Sequence, residues 1–323
     1  MNEKELNIYL HKKKELLSFF EKKSFQGLYK PLNYIFSKEG KNIRPFFLIL
    51  IYKFYGGRNA SINSVALAVQ SLHNFTLIHD DIMDDSPKRR GKLTIHKKWD
   101  VNTAILSGDA LMIYSYQILS SVKFRNDKKL LSFFTKTAIQ ICEGQQLDMD
   151  FQKKENVKIE DYLNMINLKT GALFAFSFSV GTLLLGSDHR EQKKMYDLGI
   201  LLGQLFQLQD DFLDLYGGKE VGKQKGLDLL NNKKTYLVLS FYRVANTKDL
   251  QKFKKLFYSK KRQQENILKI IDLFNIYNIK EIVVSKVNTI INSINTIINK
   301  SAISDKRKKQ LKSYIKLLSK RNS

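Results

Sequence analysis

Apolar residues recur along this chain three or four positions apart, in one run after another, with polar or glycine breaks between the runs. The spacing predicts helices near 3–23, 28–38, 45–55, 61–84, 100–121, 128–150, 159–186, 191–216, 228–246, 247–258, 265–273, 277–299 and 304–319. No stretch shows the period of two that a half-buried strand requires, and no domain linker interrupts the pattern. The expected architecture is all-α, with 1–323 as a single domain. Pro45 fits a first helical turn, and Pro87 falls just past the end of the helix at 61–84. The one long glycine-rich stretch runs from Gly217 to Gly226; basic and flexible, it suits a lid or a phosphate loop.

A chain of 323 residues with 43% hydrophobic content can bury a sizeable core. The single cysteine, Cys142, excludes an internal disulfide and a cysteine-based zinc site, and its place in a helical apolar run predicts plain packing. The net charge of +24 raises the question of nucleic acid. The lysines are spread almost evenly, beside abundant Asn, Ile, Phe and Tyr, the residues an AT-rich coding sequence over-uses. Aromatics are not interleaved with the basic runs as a base-stacking surface would need, so no nucleic-acid partner is expected. The basic field would instead draw in a polyanionic substrate. Met1 to Lys14 is charged throughout and lacks a signal-peptide pattern. The longest apolar run, Pro45 to Tyr52, falls far short of the roughly 20 residues a membrane span needs. No transmembrane segment and a cytoplasmic location are the expectation.

The chemistry is concentrated in two acidic clusters. The first, Asp80-Asp81-Ile82-Met83-Asp84, ends the helix at 61–84 and is followed by Arg89-Arg90-Gly91. At i, i+1 and i+4 its acids are read as pointing along one helical face, where they repel unless a cation neutralises them. Mg²⁺ takes a few carboxylate oxygens and completes its shell with water and substrate phosphate, and arginine forks suit phosphate oxygens. The second cluster places Gln207, Asp210, Asp211 and Asp214 at i, i+3, i+4 and i+7 of an otherwise apolar run. Lys41 and Arg44 in Gly40-Lys41-Asn42-Ile43-Arg44-Pro45 stand at a helix start, where free N–H groups attract anions. His73 precedes Asp80 by seven residues, close to the same helical face. Lys169-Thr170 lies among small and apolar residues, where a lysine needs an anion partner; the diphosphate is the expected one. Lys233-Lys234-Thr235 has a similar composition and a more exposed pattern, and Gln145 and Asp148 form a further polar patch.

Taken in order, GKxxRP at Gly40–Pro45, His73, DDxxD at Asp80–Asp84 with Arg89-Arg90-Gly91, Gln145, Lys169-Thr170, DDxxD at Asp210–Asp214, Lys223 and Lys233 resemble the trans-isoprenyl diphosphate synthases. The resemblance runs from about Gly40 to Thr235. It implies the isoprenoid synthase fold, a helical bundle around a deep central cavity, in a homodimer. It implies head-to-tail condensation of isopentenyl diphosphate with dimethylallyl, geranyl or farnesyl diphosphate, with Mg²⁺, three per active site. On this chain Asp80, Asp81, Asp84, Asp210 and Asp214 would hold the metal. Arg89, Lys169, Gln207, Lys223 and Lys233 would contact the allylic diphosphate, and Lys41, Arg44, His73 and Arg90 the isopentenyl diphosphate. Thr170 and Gln207 would stabilise the allylic cation by their dipoles. Asn42 and Gln224 depart from the family pattern, where a second basic residue and a proline are common.

Product length is expected to depend on Phe75, five positions before Asp80 and so about 7–8 Å deeper along the helix. A bulky ring there would act as a floor, favouring a C20 product and then C15. A longer-chain synthase and a class I terpene cyclase are the alternatives. The cyclase usually carries a different second metal motif and needs no second diphosphate site.

Overall fold

The computed structural model describes residues 3–37, 40–124, 126–217, 226–259 and 264–319. Its backbone contacts divide the chain into two compact units, residues 1–139 with 173–199, and 140–172 with 200–323. Lys223 and Gln224 lie outside the described residues.

The first half of the chain forms α1 (Glu3–Glu21), α2 (Gln26–Ser37), α3 (Ile43–Phe54), α4 (Ile62–Met83), a two-stranded ribbon of β1 (Lys88–Arg89) and β2 (Lys92–Leu93), α5 (Ile95–Lys98), α6 (Val101–Ser120) and α7 (Asp127–Lys153). Most of α4 is buried, and α3, α1 and α6 pack against it. The ribbon, absent from the sequence expectation, turns through Arg90 and Gly91, both at positive φ. That is the backbone a tight hairpin requires, and its strands are too short to show a period.

Next come α8 (Ile159–Ile166), a single π turn (Asn167–Gly171), α9 (Ala172–Leu184) and α10 (His189–Tyr216). The continuous helix expected over 159–186 is therefore interrupted at Lys169-Thr170. In the first unit α9 is apolar all round, and Phe178 packs 4.8 Å from Phe47. A Cβ on Gly181 would lie 2.8 Å from the Tyr52 Cα, so glycine lets α9 and α3 come this close.

The second unit is completed by α11 (Leu227–Leu230), α12 (Tyr236–Val244), α13 (Thr247–Phe257), α14 (Gln264–Ile276), α15 (Ile279–Lys300) and α16 (Asp305–Ser319). The helix expected over 228–246 is split between α11 and α12, at Asn232 in the left-handed region. Phe241 of α12 gathers Phe253, Phe274 and Tyr277. The last helix buries Leu311 and Ile315, and Ile303 just before it is buried as well. No described helix is long and apolar enough to cross a membrane. Cys142 is a correction: it lies exposed on α7, although the run around it looks apolar.

Candidate active site

In the first unit, the end of α4, the start of α3 and the ribbon bring the cations together. Asp81 is buried, and its Oδ1 accepts from Arg89 Nε at 2.7 Å. Asp80 and Asp84 are only partly covered. The three acids therefore do not share one face, since the middle one is turned into the fold. Arg44 donates from Nη1 to His73 Nε2 at 3.1 Å, and its guanidinium lies 4.3 Å above the Phe174 ring. Arginine has no acceptor, so His73 Nε2 is the bare nitrogen and the ring proton sits on Nδ1. Burial, followed by the charges of Arg44, Arg90 and Arg89, holds the His73 pKa well below the ordinary histidine value. The hydrogen bond ties His73 of α4 to Arg44 of α3. A Cβ on Gly40 would meet Arg90 Nη1 at 2.5 Å, so Arg90 lies against the loop that leads into α3. Arg44, His73 and Arg90 form one neighbourhood, and Lys41 is exposed at its edge.

Phe75 is buried, with its ring 4.7 Å from that of His79 in an edge-on contact.

In the second unit the π turn is the centre of the arrangement. A π turn inserts one extra residue into a helix and commonly marks a functional position. Here it is enclosed by two glycines. A Cβ on Gly144 of α7 would lie 2.2 Å from the Lys169 nitrogen, and one on Gly203 of α10 would lie 2.4 Å from the Gly171 Cα. The turn presents Lys169 and Thr170 to different partners. Lys169 Nζ donates to Asp148 Oδ2 at 2.7 Å. The anion partner of this lysine within the protein is therefore a carboxylate from the Gln145–Asp148 patch. Burial alone would raise the Asp148 pKa, but Lys169 and Lys233 outweigh it and hold the carboxyl below its usual value. Lys233 is thereby placed beside the same pair. Lys234, expected to be exposed, is buried, and its Nζ donates to the Phe151 carbonyl at 2.6 Å near the end of α7.

Thr170 Oγ1 donates to Gln207 Oε1 at 3.0 Å, and Gln207 Nε2 donates to Asp211 Oδ1 at 2.9 Å. Tyr162 donates its hydroxyl to the other Asp211 oxygen at 2.6 Å. Burial, then the negative charge of Asp228, pushes the Asp211 pKa up to about 7, against the opposing effect of these two hydrogen bonds. Asp210 is exposed. Asp214 Oδ2 accepts from the Asp228 N–H at 3.1 Å, at the start of α11. Sequence reasoning missed Tyr162, and it gave Asp148, Asp211 and Asp228 no role. The available signal was a tyrosine in the apolar stripe of α8, whose hydroxyl needs a partner once buried.

Among the described residues no three His, Cys, Asp or Glu side chains are already gathered as a metal cage. The partly covered carboxylates Asp80 and Asp84, and Asp210 with Asp214, still suit Mg²⁺. That ion takes a few carboxylates and fills its shell with water and phosphate oxygen.

A family model described as polyprenyl synthetase matches residues 25–274. A geranylgeranyl diphosphate synthase of Methanosarcina mazei is 40% identical over 220 residues, covering 67% of this chain and 68% of that one. A geranylfarnesyl diphosphate synthase of Natronomonas pharaonis is 36% identical over 233 residues, covering 66% and 68%. A crystal structure of a geranylgeranyl pyrophosphate synthase superposes with a TM-score of 0.90 at 35% identity, over 100% of both chains. The chain belongs to the polyprenyl synthetase family. Its fold is the all-α isoprenoid synthase fold, and it is a short-chain trans-prenyltransferase.

Proposed function

We propose that the chain condenses isopentenyl diphosphate with dimethylallyl, geranyl or farnesyl diphosphate and makes mainly geranylgeranyl diphosphate, with farnesyl diphosphate next. The observation that carries the C20 reading is Phe75, a buried ring five residues before Asp80 on α4. The geranylgeranyl diphosphate synthase of Methanosarcina mazei supports it, whereas the geranylfarnesyl diphosphate synthase of Natronomonas pharaonis is named for a longer product.

In this reading Arg44, Arg90 and Lys41 bind the isopentenyl diphosphate, and His73 holds Arg44 in place. Lys169 and Lys233, with Arg89 and Lys223, serve the allylic diphosphate. Lys169 then exchanges its Asp148 partner for phosphate oxygen, or shares itself between them. Asp80, Asp84, Asp210 and Asp214 are the proposed Mg²⁺ ligands, with three ions per site; Asp81, expected as a fifth, is buried against Arg89. The metal supplies charge neutralisation as the diphosphate leaves. The lysines and arginines add fixed positive charge where negative charge builds, which is the main lever for a reaction that needs no protein nucleophile. Thr170, with its proton committed to Gln207, offers oxygen lone pairs to the allylic cation.

We also propose a homodimer. Val101, Ile105, Leu106 and Ile113 of α6 are exposed apolar side chains on one helix, and a second copy of the chain would cover them. Sedimentation that returned only monomer would reject this.

The test of function is a product assay with purified protein, Mg²⁺, labelled isopentenyl diphosphate and each allylic primer, sizing the dephosphorylated alcohols. A C20 or C15 alcohol is expected. Products of C30 or longer would keep the chemistry and reject the role of Phe75. Turnover without isopentenyl diphosphate would point to a cyclase.

A further inference from the structure

We propose that Tyr162 and Asp211 are positioning residues that fix the orientation of the Gln207 amide and, through it, the direction of the Thr170 hydroxyl. This rests on the prenyl-transfer reading of the same site.

The argument is one of donors and acceptors. A primary amide has an accepting end and a donating end, and its two orientations have nearly the same shape. In this structure the Gln207 oxygen faces Thr170 and its nitrogen faces Asp211. Asp211 selects that orientation. With Tyr162 donating to one Asp211 oxygen, the other oxygen is left to accept from Gln207, so the flipped amide would set oxygen against oxygen. Asp211 cannot swing away, because Tyr162 holds its second oxygen at 2.6 Å and both side chains are buried. With the amide fixed, the Thr170 proton is drawn toward Gln207 at 3.0 Å, and the threonine lone pairs are left for positive charge. With the amide flipped, Thr170 would accept from nitrogen and turn its proton outward, the wrong sign for a carbocation. Tyr162 lies on α8 immediately before the π turn that carries Thr170, and Gln207 and Asp211 are one turn apart on α10. The chain of bonds therefore ties two elements at each of its ends.

The experiment uses the full-length Tyr162→Phe, Asp211→Asn and Thr170→Val variants and the two double variants with Thr170→Val. Asparagine keeps the shape of Asp211 but turns an NH₂ toward Gln207 or loses the bond to Tyr162. The expected result is a fall in kcat of about ten-fold for Tyr162→Phe and more for Asp211→Asn, with KM for both diphosphates within about two-fold of wild type. Each double variant should be no slower than Thr170→Val alone, because the residues act as one unit. Wild-type kcat in both single variants, or full additivity with Thr170→Val, would overturn the proposal; so would a lowered Tm with no change in kcat, the mark of a purely structural role. A second readout does not depend on turnover. The side-chain amide signal of Gln207 in ¹⁵N-glutamine-labelled protein should be protected from exchange in wild type and lose that protection in Asp211→Asn. An unmoved signal overturns the positioning role. A moved signal in a wild-type protein that makes no prenyl product keeps that role and rejects the prenyl-transfer reading instead.

Discussion

Gly144→Ala adds one carbon at the point where α7 meets the π turn. The new Cβ would stand 2.2 Å from the Lys169 nitrogen, 2.7 Å from its Cα and 2.8 Å from the Leu168 carbonyl carbon. All three are backbone atoms, so no side-chain rotation relieves the overlap. A comfortable contact is about 3.5 Å, so the turn and α7 must part by roughly 1.3 Å. The far side gives little room, because the Gly171 Cα already packs against Gly203 of α10. Overpacking of this kind costs about 1–3 kcal/mol, and alanine in place of glycine within a helix returns about 1 kcal/mol. The expected loss in Tm is therefore only a few degrees. Activity should suffer far more, since Lys169 and Thr170 both ride on the displaced turn. A misplacement of about 1 Å can cost about 100-fold in rate. The assay is initial-rate incorporation of labelled isopentenyl diphosphate, with thermal unfolding of the same preparations. Gly27→Ala, on α2 with nothing within 4 Å of the added carbon, is the control and should leave the rate unchanged and Tm equal or slightly higher. A Gly144→Ala enzyme with wild-type kcat would refute the view that the close approach of α7 sets the position of the turn.

Phe75→Ala should shift the alcohols recovered from the product assay to longer chains; an unchanged spectrum rejects the ring as a floor. Arg89→Met leaves Asp81 buried without its 2.7 Å partner and should cost about 2–3 kcal/mol in urea unfolding, somewhat less than a fully buried pair because Arg89 is partly exposed. Asp81→Asn in the same chain should recover part of that stability, and no recovery would count against the pair. The pKa of His73 is lowered on folding, so below its unfolded value of about 6.5 the unfolded chain binds the extra proton first. Its contribution to stability is thus full above about pH 6.5 and is lost as pH falls toward the folded value. Tm measured from pH 8 to 5 should fall less steeply for His73→Gln than for wild type, and equal slopes would reject the assignment.

Periodicity was a good guide wherever helices are long and amphipathic, as in α4, α10 and α15. It failed where the backbone departs from regular winding for a local reason. The π turn at Asn167–Gly171 adds a single residue, too small a change to disturb an apolar pattern that continues through Phe178. Its cause lies in two distant glycines, Gly144 and Gly203, whose significance appears only when the helices are brought together. The residue types at the site were legible because charge among apolar residues demands an explanation. Their pairings were not. Lys169 needed an anion, but nothing in the sequence selects Asp148 for it over a bound diphosphate. Cys142 was misread because a run can be apolar in composition while one of its positions still faces outward.

The two acidic motifs share an internal division of labour. Successive residues on a helix are turned by about 100°, so positions i and i+4 differ by only about 40° while i+1 stands well apart from i. In Asp80-Asp81-Ile82-Met83-Asp84 the middle acid is 2% exposed and bound to Arg89. In Asp210-Asp211-Phe212-Leu213-Asp214 the corresponding acid is 4% exposed and bound to Tyr162 and Gln207. The outer acids of both motifs keep some exposure. Each motif therefore supplies two reachable carboxylates, suited to a hydrated divalent cation, and one inward carboxylate that organises the groups around it. The partners differ in kind, and so do the consequences. Arg89 brings a full positive charge to the first motif and compensates its acid. Tyr162 and Gln207 bring only neutral dipoles to the second, so Asp211 keeps its burden of burial. The two copies of DDxxD thus hold their inward acid differently, the first by a cation of the protein and the second by neutral dipoles.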